Sequence, residues 1–166
     1  IPRRLQRRVR QAPYAVTINR DFTAVIDACA APSDQREDTW INRDIRRLYI
    51  ALHKMGFAHS IEVWLNESLV GGLYGVALRA AFFGESMFST QADASKIAFY
   101  HLDQRLQAWD FTLLDCQMMT PHLASLGVVP MVRADFLALL QRNDLSRTRL
   151  GRWRLDDLAV TPQGSC

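Results

Sequence analysis

The sequence predicts an α+β domain with a mostly antiparallel sheet flanked by helices. Residues 60–88 read as three consecutive strands joined by tight turns. A long helical pattern follows at 94–108, then a short strand and a further helix. At 166 residues, 49% apolar and 22% charged, the chain has the size and composition of a single cored domain. A strand meander followed by helices, rather than strict strand–helix alternation, separates α+β from a parallel α/β sheet.

Taken in order, Pro13 to Ile18 follows an arginine-rich lead as a short strand. Asp21 is placed to cap a helix carrying Phe22, Val25, Ile26 and Cys29 at helical spacing. Residues 31–39, with Pro32 and Ser33, form a loop. A second helix is predicted from about Asn42 to Met55, with Ile45, Leu48, Tyr49 and Leu52 on one stripe and Gly56 as its stop. Ser60 to Leu65 alternates apolar and polar positions, Asn66-Glu67 turns, and Ser68 to Leu78 is a long strand. Gly71-Gly72 within it suggests a bulge or a close approach of a ligand to the backbone. Arg79-Ala80 turns into Ala81 to Phe88. After the helix that follows Asp93, Thr112 to Gln117 reads as a strand, His122 to Leu126 as a helical turn closed by Gly127, and Arg133 to Gln141 as a helix. Beyond Asn143 the pattern is aperiodic and arginine-rich, as in a surface tail.

Composition removes several classes. No apolar run reaches the length of a membrane span, and the first residues carry no apolar signal core. Three cysteines without paired spacing (Cys29, Cys116 and Cys166) point to a reducing, cytoplasmic setting rather than a disulfide scaffold or zinc site. Neither a phosphate-cradling glycine motif nor a metal-ligand spacing is present, so no metal is expected. The net charge of +3 is unevenly spread. Residues 1–20 hold six arginines and no acid, residues 21–141 hold nine basic against fourteen acidic residues, and the remainder holds five arginines against three aspartates. Basic ends on an acidic body suit a polyanion, although 18 arginines against 2 lysines is also a chain-wide compositional bias.

Three polar residues stand out. Glu85 is a lone carboxylate in an apolar strand end, either a rim residue or an acceptor placed in a pocket. Asp115 and Gln117, two apart on one predicted strand, share a face there. Such a pair can orient a reacting amine or polarise a carbonyl, or can mark a strand surfacing into solvent. Cys116 points the other way, as a small core residue, and His59 and His122 read as structural histidines. Trp40 and Tyr49 are either core aromatics or stacking surfaces for a base.

Read together, His59-Ser60-Ile61-Glu62-Val63-Trp64, Leu69-Val70-Gly71-Gly72-Leu73-Tyr74-Gly75 and Gly84-Glu85-Ser86-Met87-Phe88-Ser89 resemble the bacterial leucyl/phenylalanyl-tRNA–protein transferases. Ala94-Ser95-Lys96, Leu114-Asp115-Cys116-Gln117 and His122-Leu123-Ala124-Ser125-Leu126-Gly127 continue the likeness in order, with Pro13-Tyr14, Thr39-Trp40-Ile41 and Tyr49 beside them. The resemblance covers roughly residues 12–141.

That resemblance implies an acetyltransferase-like (GNAT-like) acyltransferase domain. The implied activity moves Leu or Phe, and by extension Met, from aminoacyl-tRNA to the N-terminal Arg or Lys of acceptor proteins, marking them for degradation. It implies no cofactor, because the aminoacyl ester is already activated, and no membrane. Carried over by position, Asp115 and Gln117 match the catalytic pair and Glu85 a carboxylate that binds a substrate amino group. Leu73, Phe82, Met87, Phe99, Leu102, Leu106 and Leu114 match the donor side-chain pocket. Trp40 and Tyr49 match the platform for the tRNA 3′ end, and Arg3, Arg4, Arg7, Arg8 and Arg10 would meet tRNA backbone phosphates. Leu73 stands where methionine is expected, and Leu102 and Leu106 where phenylalanines are expected. The organisation so implied is a basic lead over 1–12, a catalytic domain over 13–141 and an arginine-rich tail over 142–166. The family's additional N-terminal domain is not among these residues, so the chain reads as a portion of a longer protein or a shortened relative. A rival reading keeps the fold without catalysis and binds RNA or a peptide N-terminus. An acetyltransferase proper would need a pyrophosphate-binding loop that the sequence lacks.

Overall fold

A computed structural model describes residues 2–32 and 39–154. Its helices are α1 (Arg3–Gln11), α2 (Phe22–Ala30), α3 (Arg43–Lys54), α4 (Ala94–Ala108), α5 (Pro121–Ser125) and α6 (Arg133–Gln141). The strands are β1 (Ala15–Ile18), β2 (Ala58–Leu65), β3 (Ser68–Leu78), β4 (Ala81–Ser89) and β5 (Leu113–Asp115). They form one sheet in the order β1-β2-β3-β4-β5. Neighbours run antiparallel except β4 and β5, which are parallel. The cause is local: two-residue turns at Asn66-Glu67 and Arg79-Ala80 reverse the chain, whereas α4 carries it from β4 back to start β5 in the same direction. The α+β, mostly antiparallel expectation holds, as do the three-stranded meander and the helices at 22–30, 43–54, 94–108 and 133–141. Most of the loop expected over 31–39 lies outside the described residues.

Alternation along the strands divides the interior in two. Ile61, Val63, Leu73 and Phe82 face α4, packing on Ile97, Phe99, Leu102 and Leu106. Tyr74 and Ala58 face the other way, toward Phe22, Val25, Ile26 and Cys29 of α2 and the half-buried Ile45, Tyr49 and Leu52 of α3. The helix starts follow the sequence. Asp21 Oδ1 accepts from the Ala24 N–H at 2.9 Å, and Asn42 Oδ1 accepts from Asp44 and Ile45.

The motif Ser60-Ile61-Glu62-Val63-Trp64 has a structural explanation. Glu62 is fully buried and accepts from the Ser60 and Thr17 hydroxyls and the Arg20 N–H, while Trp64 Nε1 donates to Thr17 Oγ1 at 2.8 Å. This network pins β1 to β2 and satisfies a carboxylate that would otherwise be costly to bury.

Four expectations change or gain detail. The arginine-rich lead is helical: Leu5, Val9 and Ala12, spaced four and three apart, lay α1 against the α4 core. Residues after Asn143 are not a surface tail as far as Arg154. Asn143 bonds Leu78 O and the Ala80 N–H at 2.8 and 3.0 Å. Trp153 is 2% exposed, stacked on His59 at 3.8 Å and edge-on to Trp109 at 4.8 Å. A single tryptophan in a polar run has no period, so nothing local announces that it is buried. Residues 155–166 of the expected tail, Cys166 included, lie outside the described set. The bulge expected around Gly71-Gly72 lies beside it: the β2–β3 register shifts between Val63 and Trp64, which leaves Val70 as the extra residue next to Gly71. A Cβ on Gly71 would lie 2.5 Å from the Ala94 Cβ, so the glycine lets α4 close on β3. Finally, β5 ends at Asp115, two residues earlier than expected.

Candidate active site

Glu85 owes its position to a β-bulge. Tyr74 pairs with Ser86 and Gly75 with Gly84, which leaves Glu85 as the extra residue on β4. The same insertion explains why Phe82 and Met87, five residues apart, both pack on the α4 core. Pairing of β4 with β5 reaches only Phe83 and Asp115. Past that point the two strands have no further register, and the opening between them holds Glu85, Asp115 and Gln117.

Gln117 does not share a strand face with Asp115, because it lies beyond β5 in the left-handed region with φ +64°. Asp115 holds it there: its Oδ1 accepts the Gln117 backbone N–H at 2.8 Å. The Gln117 side chain then spans the opening, and its Nε2 donates to Glu85 Oε2 at 3.1 Å. The expected trio is therefore together, but through a turn rather than through strand periodicity. A left-handed non-glycine residue costs of order 1–3 kcal/mol, and the aspartate bond offsets part of this.

On the other side of Glu85 stands Tyr49 of α3. Burial, and next its hydrogen bond to the Glu85 carboxylate, push the phenol pKa upward. Tyr49 packs edge-on against Tyr74 at 5.2 Å and against Trp40 at 6.3 Å. Trp40 is 48% exposed. A continuous path of Trp40, Tyr49, Glu85, Gln117 and Asp115 thus crosses three elements that lie far apart in sequence. Among the described residues neither Glu85 nor Asp115 has an ion-pair partner. Two carboxylates without a resident cation, joined by an amide, form a receptor for a cationic group and can orient an amine. Cys116 is half-buried against the α4 core, where burial and the Asp115 charge push its thiol pKa up to about 11, so it is a poor nucleophile.

The seven donor-pocket candidates divide by burial. Leu73, Phe82, Phe99, Leu102 and Leu106 are buried in the α4-side core, while Met87 and Leu114 are half-buried at its edge. Leu114 also lines an open groove of about 530 Å³ with Asp115 and Gln117, whose far wall is Val128 to Met131 with Arg133 and Phe136. Sequence patterns alone do not mark this groove. Its sign is a cluster of methionines and valines, Met118, Met119, Val129 and Met131, in segments that otherwise read as turns.

The basic lead places Arg3, Arg7 and Arg8 exposed on α1. Arg8 pairs with Asp93 at 2.7 Å, and Lys96 pairs with the same carboxylate at 2.9 Å. Arg4 and Arg10 lie on the same helix, their side chains outside the described set. Among the described residues no cluster of histidine, cysteine and carboxylate side chains is placed to hold a metal, and no helix is long and apolar enough to cross a membrane.

Comparison with known proteins adds to this geometry. A leucyl/phenylalanyl-tRNA protein transferase family model matches residues 1–141. A leucyl/phenylalanyl-tRNA–protein transferase of Rhodopseudomonas palustris strain TIE-1 is 57% identical over 137 residues, covering 82% of this chain and 61% of the relative. One from Caulobacter vibrioides strain NA1000 is 54% identical over 170 residues, covering 99% and 78%. One from Pseudomonas fluorescens strain SBW25 is 51% identical, covering 92% and 67%. The chain thus spans about two-thirds of the length of the relatives it matches. Among solved structures, a ribosomal-protein-alanine N-acetyltransferase from Brucella melitensis is similar with a TM-score of 0.48 at 13% identity, covering 79% of this chain and 90% of that one. The residues that build the opening between β4 and β5 all fall inside the matched span, and the chain belongs to the leucyl/phenylalanyl-tRNA protein transferase family.

Proposed function

We propose that this chain transfers Leu or Phe, and Met by the same apolar fit, from aminoacyl-tRNA to an N-terminal Arg or Lys of an acceptor protein. The observation that carries the reading is the Gln117 amide, fixed by Asp115 and bridged to Glu85. In the reaction the acceptor α-amine attacks the ester carbonyl. A C–N bond forms, the C–O bond to the ribose breaks, the amine loses a proton and the ribose oxygen gains one. Gln117 orients the incoming amine beside the ester, and Glu85 draws the cationic acceptor into the opening. Asp115 acts through Gln117. Aminolysis of an ester is downhill, so holding amine and carbonyl at reacting distance supplies much of the acceleration.

The donor side chain enters between Met87 and Leu114, the two half-buried residues at the edge of the core. Leu73, Phe82, Phe99, Leu102 and Leu106 form the wall behind. Trp40 and Tyr49 receive the terminal adenosine, Trp40 offering the half-exposed ring. The arginines of α1 meet tRNA phosphates, and a charged tRNA as donor suits a cytoplasmic protein that needs no cofactor. The test is transfer of labelled Leu or Phe from charged tRNA to a peptide with an N-terminal Arg. Label should enter the peptide with the wild type and be reduced at least tenfold by Gln117→Ala. Tight binding of tRNA or peptide with no transfer would favour the non-catalytic alternative.

A further inference from the structure

We infer that the groove beside β5 is the track on which the acceptor polypeptide lies downstream of its first residue, bound as an extended segment. The inference rests on the acceptor role proposed above. Three observations carry it. First, the groove is continuous with the site: Asp115 and Gln117 are both part of its wall. A chain whose N-terminal amine is held at Glu85 and Gln117 has this groove as its adjoining exit. Second, β5 is the last strand of the sheet and has no strand partner on its outer edge among the described residues. A peptide laid there can take main-chain hydrogen bonds without regard to its sequence. Third, the walls are apolar and adaptable. Met118, Met119, Val129 and Met131 are all exposed, an arrangement a soluble domain rarely leaves uncovered beside its site. Methionine side chains, unbranched and polarizable, repack against differing partners. That suits acceptors that share a first residue and differ afterwards.

Charge favours a polypeptide over RNA in this groove. Asp115 is in the wall and Glu85 is held next to it through Gln117, where a cationic N-terminus would sit, and among the described residues Arg133 is the one cation in the wall. A nucleic-acid strand would bring repeated phosphates to carboxylates and thioethers.

The experiment compares two acceptors, argininamide and the peptide Arg-Leu-Val-Phe-amide, with the wild type and a Val129→Ser/Met131→Ser variant. Both substituted side chains are exposed and neither touches the reacting groups, so folding and argininamide transfer should be unchanged. The wild type should prefer the tetrapeptide at least tenfold in kcat/KM. The variant should lose most of that preference through KM. Direct binding of a fluorescent tetrapeptide, without donor, is measured in parallel, with an N-acetylated tetrapeptide as control. Binding weakened by the variant would support the track even if no transfer were seen, in which case the transfer reading alone would fail. Equal kcat/KM for the two acceptors in the wild type, or a variant that leaves tetrapeptide binding unchanged, overturns the inference. So does a variant that raises KM for the tRNA donor instead, which would make the groove an RNA track.

Discussion

If Asp115 works by holding Gln117, its removal should matter only while Gln117 is present. Asp115→Ala deletes the 2.8 Å bond to the Gln117 N–H and frees a residue held at φ +64°. A hydrogen bond to a charged acceptor contributes about 1.5–3 kcal/mol, and the half-exposed setting of this one favours the lower end. At ~1.4 kcal/mol per tenfold, the loss in kcat should be about 10- to 30-fold. Gln117→Ala, which removes the orienting amide outright, should cost at least as much. The double variant should then be no slower than Gln117→Ala alone, within about twofold, since residues acting through one another are not additive. Asp115→Asn keeps an Oδ1 acceptor and should retain most of the rate. Transfer from an aminoacyl-adenosine donor to an arginine peptide isolates this step from tRNA binding, with thermal unfolding as a control for folding. Additive losses would refute the positioning role and make Asp115 an independent participant. An Asp115→Ala effect seen only in KM would move it to substrate binding.

Trp153→Ala should cost about 3–5 kcal/mol, because the ring is buried between His59 and Trp109. With an m-value of ~2 kcal/mol/M the urea midpoint should fall by about 1.5–2.5 M, and a shift below ~0.3 M would mean the segment does not pack. His59 has its pKa lowered to about 3, mainly by burial and then by the His53 charge. The neutral ring is what the fold accepts, so its contribution is complete above the unfolded value of ~6.5 and is lost as pH falls toward 3, at up to about 1.4 kcal/mol per pH unit. Urea midpoints between pH 7.5 and 4.5 should show this slope, and His59→Gln should flatten it. Arg3→Ala/Arg7→Ala should lower the log–log salt slope of tRNA binding by about 1.4–1.8 and leave transfer from aminoacyl-adenosine intact. An unchanged slope would make these arginines ordinary solvated surface.

Local rules determined much of this protein. Alternation at Ile61, Val63 and Leu65, two reversing turns, an Asp21 cap and a glycine stop at Gly56 each act within a few residues. The meander and most helices are therefore legible from the amino-acid order alone. The family likeness also marked Glu85, Asp115 and Gln117 as a set. Why they meet was not legible. The bulge that singles out Glu85 exists only in the register between β3 and β4, and Gln117 reaches it from a left-handed turn that strand alternation does not foresee. Tyr49 belongs to the same site because α3 packs over the sheet, a long-range event with no local mark. Burial was equally a tertiary decision. Trp153 is a solitary apolar residue in an arginine-rich run, and Leu5 and Val9 are the sparse apolar positions of an arginine-rich helix; only the facing surfaces of His59, Trp109 and α4 gave them somewhere to go. Backbone sterics and side-chain period act locally, so they limit what each short segment can become. Which side chains end within hydrogen-bonding reach across 32 residues, as Glu85 and Gln117 do, depends on how sheet register and helix packing close at once.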